Sequence, residues 1–275
     1  MKKIAVLGPE GTFSDSAAKE YLKSEGVVME SIYFSTIDEA FHSVGRECDY
    51  GIIPIENTLD GYVQRTIDLL SEENVHIVKE ILIPVQFSLL ADCVSIDEIR
   101  QLFVQFKATG QCRRFVDSLK GVSVVATQSN MESYYRFKNG IRGDAAIVPA
   151  HIAKGDVAGL KMDNVTDSES NFTRFIVIEP GESRVKLESG RQFKASVYIT
   201  PEVDRPGMLF EILSAFYDNH VNLVSIISRP TKKEMGTYNF YIETKGGFGE
   251  KDAVIKALNK INRNYGIKVM GIYSV

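Results

Sequence analysis

Side chains able to pass a proton or hold an anion gather at three places in the chain. The densest is Asn171-Phe172-Thr173-Arg174-Phe175, which sets a hydroxyl beside a guanidinium between two aromatic rings and runs on into Ile176-Val177-Ile178. An apolar run of that kind reads as a buried strand. Its polar start would stand at the rim of a sheet, where open α/β folds bind ligands. The second place is Glu56-Asn57-Thr58, three polar residues that end the apolar run beginning at Tyr50. The third is the loop Gly8-Pro9-Glu10-Gly11-Thr12-Phe13-Ser14, between the run Lys3 to Leu7 and a helix containing Ala17, Ala18, Tyr21 and Leu22. Strand, glycine loop and helix start together present backbone N–H groups and roughly half a positive charge to an anion. Ser14 is expected to cap that helix. The loop lacks the lysine of a P-loop and the third glycine of a dinucleotide fingerprint. Plainer readings stand beside each: Thr173 as a β-branched strand residue, Arg174 as a solvated edge charge, Asn57 or Thr58 as a helix cap.

The elements that must position these groups follow from pattern. At 275 residues the chain suits two or three modules, and 44% apolar with 25% charged residues is ordinary globular composition. A net charge of −4 argues against a nucleic-acid partner. No apolar run approaches the ~18 residues of a membrane span, and the opening residues read as a first strand rather than a signal peptide. A cytoplasmic location is expected. Cys48, Cys93 and Cys112 are scattered, as are His42, His76, His151 and His220, so neither a disulfide framework nor a metal site is signalled.

Thr36-Ile37-Asp38-Glu39 and Ser95-Ile96-Asp97-Glu98 have the form of capping boxes. The run Ile77 to Leu90 reads as one crossing strand into a second lobe. There Leu102–Phe106, Val122–Ala126 and Ala145–Val148 read as strands, Thr109–Leu119 as a helix, and a further helix begins near Ser129. Alternating strands and helices imply parallel sheets flanked by helices. Two α/β lobes are expected, lobe 1 over about 1–78 and 164–180 and lobe 2 over about 79–163, with a cleft between them. A linker is placed at 181–192. Beyond it, over 193–275, the order is βαββαβ, the ferredoxin-like split unit, too small for a comfortable core of its own and with an edge strand open to a second copy.

Three motifs in order, with this tail, make the chain resemble prephenate dehydratases carrying a C-terminal ACT regulatory domain. The resemblance rests on Gly8 to Ser14, on Pro54-Ile55-Glu56-Asn57-Thr58 with Gly61, and on Asp167, Asn171 and Thr173-Arg174-Phe175. It implies a two-lobed periplasmic-binding-protein-like catalytic domain, active in its cleft, followed by an α+β ferredoxin-like ACT domain. The chain departs from the family pattern at Val104-Gln105-Phe106-Lys107, where Ser-His-x-Gln is common and only Gln111-Cys112 matches. It departs also at Ala158-Gly159-Leu160, Gly207-Met208-Leu209 and Ile227-Ser228-Arg229-Pro230.

The implied reaction is decarboxylative dehydration of prephenate to phenylpyruvate, inhibited by L-phenylalanine, with no cofactor. Arogenate as substrate, or a non-catalytic amino-acid sensor, are the alternatives. By resemblance Thr173 attends the departing hydroxyl, while Asn57 and Gln111 place the substrate. Glu56 is a proton source if burial keeps it protonated, or else a partner for Arg174 or a solvated rim carboxylate. Arg174 is a carboxylate clamp or a structural residue. Thr12 and Ser14 help the loop hold a carboxylate, and Phe13, Thr58 and Phe172 line the cleft. Gly207, Met208, Leu209, Ser228, Arg229 and Pro230 are expected to bind phenylalanine between paired ACT domains, so a homodimer or homotetramer is expected.

Overall fold

The computed structural model describes residues 1–155, 159–183, 185, 187–202 and 205–275. Ala158 and the linker residues Arg184 and Lys186 therefore lie outside the described residues. Three sheets carry the chain. In the first, the strand order is Glu30–Phe34, Lys3–Leu7, Tyr50–Asn57, Phe172–Pro180, Val75–Pro84, with the short strand Gly61–Tyr62 folded back on Tyr50–Asn57. The first three run parallel. Phe172–Pro180 returns from the second lobe and inserts antiparallel to both its neighbours, so the expected parallel sheet is a mixed one. The second sheet is mixed too: Leu160–Met162, Phe87–Ala91, Asp144–Pro149, Gln101–Gln105, Ser123–Thr127.

The run read as one crossing strand is two, Val75–Pro84 and Phe87–Ala91, in different sheets. Apolar residues continue across the crossing because both ends enter cores. The chain passes between lobes at Val85-Gln86, several residues beyond the expected boundary. There Val85 N–H donates to Asn171 O at 2.8 Å and Phe87 N–H to Thr166 Oγ1 at 2.8 Å, tying the outgoing crossing to the returning one.

Local signals were kept where side chains could close their own hydrogen bonds. The Thr36 capping box forms at both ends. At Ser95 only the hydroxyl bonds, to Asp97 N–H, and a single 3₁₀ turn, Ile96–Glu98, results instead of a helix. The first helix, Phe13–Glu25, is capped by Thr12, not Ser14. The expected helix Thr109–Leu119 is two short ones, Phe106–Gln111 and Arg113–Ser118, broken at Cys112 where φ is −122° and ψ 27°. Among the described residues no helix is long and apolar enough to cross a membrane.

The C-terminal sheet, Leu223–Pro230, Tyr238–Gly247, Gln192–Thr200, Gly266–Ser274, is antiparallel throughout and follows the expected βαββαβ order. One face, with Val197, Ile242 and Ile272, packs on the helices Met208–Asp218 and Lys251–Asn262. The opposite face presents Tyr198, Tyr241, Met270 and Tyr273 to Phe41, Ile176 and Ile178 of the first lobe, in one continuous cluster. This sheet is thus buried on both sides, which supplies the core that its size alone would not.

Backbones approach closely where Gly271 meets Ile77: a Cβ there would stand 2.6 Å from the Ile77 carbonyl oxygen. Gly271→Ala is expected to push the two domains apart at a cost of about 1–3 kcal/mol, read as a lowered calorimetric Tm; an unchanged Tm would mean that the strands do not meet there.

Candidate active site

Strand register decides which side chains can meet. Thr173 lies opposite Asn57, and Arg174 opposite Glu56, on the antiparallel pair formed by Phe172–Pro180 and Tyr50–Asn57. Neighbours in a strand point to opposite faces. One face therefore receives Thr173 and Asn57 and the other Arg174 and Glu56.

On the first face the Asn57 amide is fully specified. Its Oδ1 accepts from the N–H groups of Leu59 and Asp60 at 3.0 and 3.1 Å, an Asx turn that fixes which way the amide faces. Nδ2 must then point at the signature segment, and it donates toward Thr173 Oγ1 at 3.0 Å, Asn171 Oδ1 at 2.9 Å and the Phe172 carbonyl at 3.1 Å. With its oxygen receiving that bond, the half-buried Thr173 keeps its own O–H free to donate. Asn171 is fully buried, and its Oδ1 supports Asn57 by accepting from it, while its Nδ2 has no partner among the described residues. Thr58 pins the same segment: its hydroxyl donates to Phe172 O at 3.1 Å and accepts from Phe172 N–H at 3.2 Å. Phe172 itself is exposed at the rim.

The opening loop is built by a buried acid. Asp15 accepts from Gly11 N–H at 2.9 Å, Tyr33 O–H at 2.7 Å and Lys19 at 2.8 Å, holding Gly11 at φ +86°. Burial pushes its carboxyl up, but the Lys19, Tyr33 and Gly11 bonds outweigh that and hold it below the usual range. Thr12 Oγ1 is committed to capping, accepting from Asp15 N–H and donating to Leu7 O at 3.2 Å. The loop's remaining anion-binding groups are the first-turn N–H groups of Phe13 and Ser14 and the Ser14 hydroxyl. Phe13 bridges the lobes edge-on to Phe87 and His151, each with ring centroids 5.6 Å away. His151 Nε2 donates to Gly11 O at 3.0 Å from lobe 2, and burial holds its pKa below the ordinary value, so it serves as a neutral donor. Gln111, half-buried, ends a lobe 2 helix whose carbonyl accepts from Asp167 N–H at 2.8 Å on the returning segment.

Three expected site residues are engaged elsewhere. Arg174 is 5% exposed and faces the C-terminal sheet, not the cleft. Its Nε–H donates to Glu56 at 3.0 Å, Nη1 to Glu80 at 3.2 Å and Glu243 at 2.9 Å, and Nη2 to Tyr62 Oη at 3.1 Å and Glu243 at 2.7 Å. Glu56 is accordingly bonded to Arg174, one of the alternatives expected for it. The register requires this, because both residues stand one position away from the Thr173–Asn57 pair. Arg229, expected at the effector site, donates bidentately to Asp68 of lobe 1 at 2.9 and 2.8 Å. Met208 lines a cavity of about 380 Å³ with Thr200 and Tyr238. Leu209 is exposed, and Gly207 caps the helix that carries both.

Sequence reading did not single out Glu243, Tyr62 or Asp15. The one available signal was a lone carboxylate inside the apolar run Phe240-Tyr241-Ile242-Glu243. Burial pushes the Glu243 carboxyl up, but Arg174 and Tyr62 reverse this and hold it at about 2, against an ordinary value of 4.5. A depressed carboxylate stabilises the fold above its ordinary pKa, and that stability is lost as pH falls through the folded value. Domain docking should therefore weaken between pH about 4.5 and about 2. Calorimetry should show a Tm that drops over this window in wild type and drops less in Glu243→Gln.

Comparison with known proteins identifies the family. The prephenate dehydratase family model matches residues 4–183, and the ACT domain model residues 202–262. The bifunctional chorismate mutase/prephenate dehydratase of Aquifex aeolicus is 32% identical over 98% of this chain and 73% of its own. The prephenate dehydratase of Methanocaldococcus jannaschii is 29% identical over 100% of this chain and 98% of its own. The structure of the Arthrobacter aurescens prephenate dehydratase in complex with L-Phe superposes with a TM-score of 0.83 at 27% identity, covering 99% of this chain and 90% of that one. With the first model over residues 4–183 and the second over 202–262, the chain belongs to the prephenate dehydratase family and carries an ACT domain.

Proposed function

We propose that the protein converts prephenate to phenylpyruvate and that phenylalanine inhibits it through the ACT domain. The observation that carries the reading is the Asn57 amide, fixed by its Asx turn and donating to Thr173 Oγ1 at 3.0 Å. The substrate ring bears a hydroxyl opposite a carboxylate. As the C–O bond breaks, its electron pair goes to oxygen, which takes a proton and leaves as water. The C–CO2 bond supplies the pair that makes the ring aromatic, and CO2 departs. Thr173 O–H donates to the leaving oxygen, and the Asn57 bond steadies the charge that builds on Oγ1 as the proton moves. Thr173 is a weak acid, so it passes on a proton that solvent replaces. The Phe13 and Ser14 N–H groups, at the positive end of their helix, suit a substrate carboxylate. Gln111, on the other lobe, is the residue assigned to hydrogen-bond the substrate from that side.

The measurement is conversion of prephenate by the purified protein, with and without phenylalanine, alongside arogenate. Thr173→Ala should lower kcat about 10²–10⁴-fold with the fold kept. Unchanged activity would remove Thr173 from this role, and no product from prephenate would end the reading.

The regulatory reading requires two copies. The edge strand Leu223–Pro230 exposes Val224 and Ile226, and the helix Met208–Asp218 exposes Phe210 and Tyr217, at 74% and 80%. Such an edge is open to pairing with itself, which would bring the Gly207 to Leu209 and Ser228 to Pro230 segments of two chains together. Light scattering should give at least twice the 30.7 kDa chain mass; a stable monomer would contradict it. Three buried, unpaired cysteines suit the reducing cytoplasm.

A further inference from the structure

Glu243 belongs to the ACT domain, yet its carboxylate bonds to the Thr173 strand and to the short strand paired with the Asn57 strand. Oε1 accepts from Arg174 Nη1 at 2.9 Å and Ser196 O–H at 2.9 Å. Oε2 accepts from Arg174 Nη2 at 2.7 Å and Tyr62 O–H at 2.8 Å. Arg174 is the residue after Thr173. Tyr62 lies on the short strand whose pairing is Tyr62 with Glu56 and Gly61 with Asn57. One carboxylate thus grips the flank of Thr173 and the flank of Asn57 at once.

The grip falls where the backbone ladder is weakest. Between Arg174 and Phe175 the register with the Asn57 strand slips, leaving Ile55 without an opposite residue. A bulge frees the local spacing of two strands, so something else must set it. Here the side chains do: Arg174 crosses to Glu56, next to Asn57, while Glu243 fixes the guanidinium. All five Arg174 N–H donors are used, and Glu243 is 1% exposed, so the arrangement has little freedom to shift.

We propose that Glu243 is a positioning residue for the dehydration: the regulatory domain completes the active site by holding Arg174 and Tyr62, and through them the distance between Thr173 and Asn57. The inference rests on the dehydratase reading above. Displacement of the ACT sheet then reaches Thr173 directly through Arg174 on its own strand, and Asn57 through Tyr62 on the short strand paired with it.

The test uses the full chain and begins with wild-type turnover of prephenate, whose absence would sink the dehydratase reading itself. Given wild-type activity, Glu243→Gln should lower kcat about 10–100-fold, the range expected of a misplaced catalytic group, with KM changed less than about threefold. Asp68→Asn is the comparison, since it breaks a separate ion pair between the domains, with Arg229, away from the bulge. It should lower the Tm yet leave kcat within about twofold of wild type. Should Glu243→Gln fail to fold, Ser196→Ala carries the test by removing one bond to the carboxylate, with a loss of roughly fivefold in kcat expected. A folded Glu243→Gln, or in its place Ser196→Ala, with wild-type kcat overturns the proposal. So does Asp68→Asn lowering kcat as much as Glu243→Gln, because loosened docking alone would then be sufficient.

Discussion

The insertion of Phe172–Pro180 between Tyr50–Asn57 and Val75–Pro84 is the constraint on which the rest depends. The strand can enter only from the second lobe, so the chain must leave the first sheet, build the second and come back. The return brings polar residues to the rim of a sheet already closed on its other side. Alternation along the strand then divides the labour. Odd positions Phe175 and Val177 pack toward the helix Phe13–Glu25, and even positions Ile176 and Ile178 toward the ACT sheet. A slip of one residue would exchange Thr173 with Arg174 and place a guanidinium where a hydroxyl is needed.

The cluster around Arg174 sets two cations, Arg174 and Lys194, against the carboxylates of Glu56, Glu80 and Glu243. Removing such charges from water costs about as much as their attraction returns, so the cluster is weak evidence for stability as such. The apolar contacts of Tyr198, Tyr241, Met270 and Tyr273 are the better source of docking energy. What the charges add is orientation: a rotated ACT domain would leave a buried guanidinium unpaired, and that is expensive. Half-buried Lys268 does similar work, donating to the carbonyls of Leu70 and Glu73 where the helix Gln64–Glu72 ends.

Much of this was legible in the sequence because it is local. Period-two runs marked the strands, Thr36 and Glu39 closed their own box, and the βαββαβ order was plain. The three motifs meet because strand ends and helix starts gather at a sheet's rim. What was hidden depends on partners distant in sequence. Glu56 and Arg174 look like rim chemistry until the third sheet covers their face. An apolar run cannot announce that it changes sheets at Val85-Gln86, since both of its ends are buried. Cys112 breaks a helix that reads as continuous, and Ser95 closes only half a box because a single turn follows it. His151 carried no signal beyond following the strand Asp144–Pro149, since its partner is a carbonyl from the start of the chain.

The face that joins the domains is tiled with phenol rings, and the chain has no tryptophan to mask them. Tyr62 and Tyr241 meet edge to face with centroids 5.9 Å apart, and Tyr198 and Tyr273 lie in the same cluster. Burial pushes the Tyr241 and Tyr273 hydroxyls well above the ordinary phenol range, so these rings resist ionising in alkali while the joint is closed. The ultraviolet absorption of the molecule therefore carries a record of whether its two halves are together, with no dye or label attached.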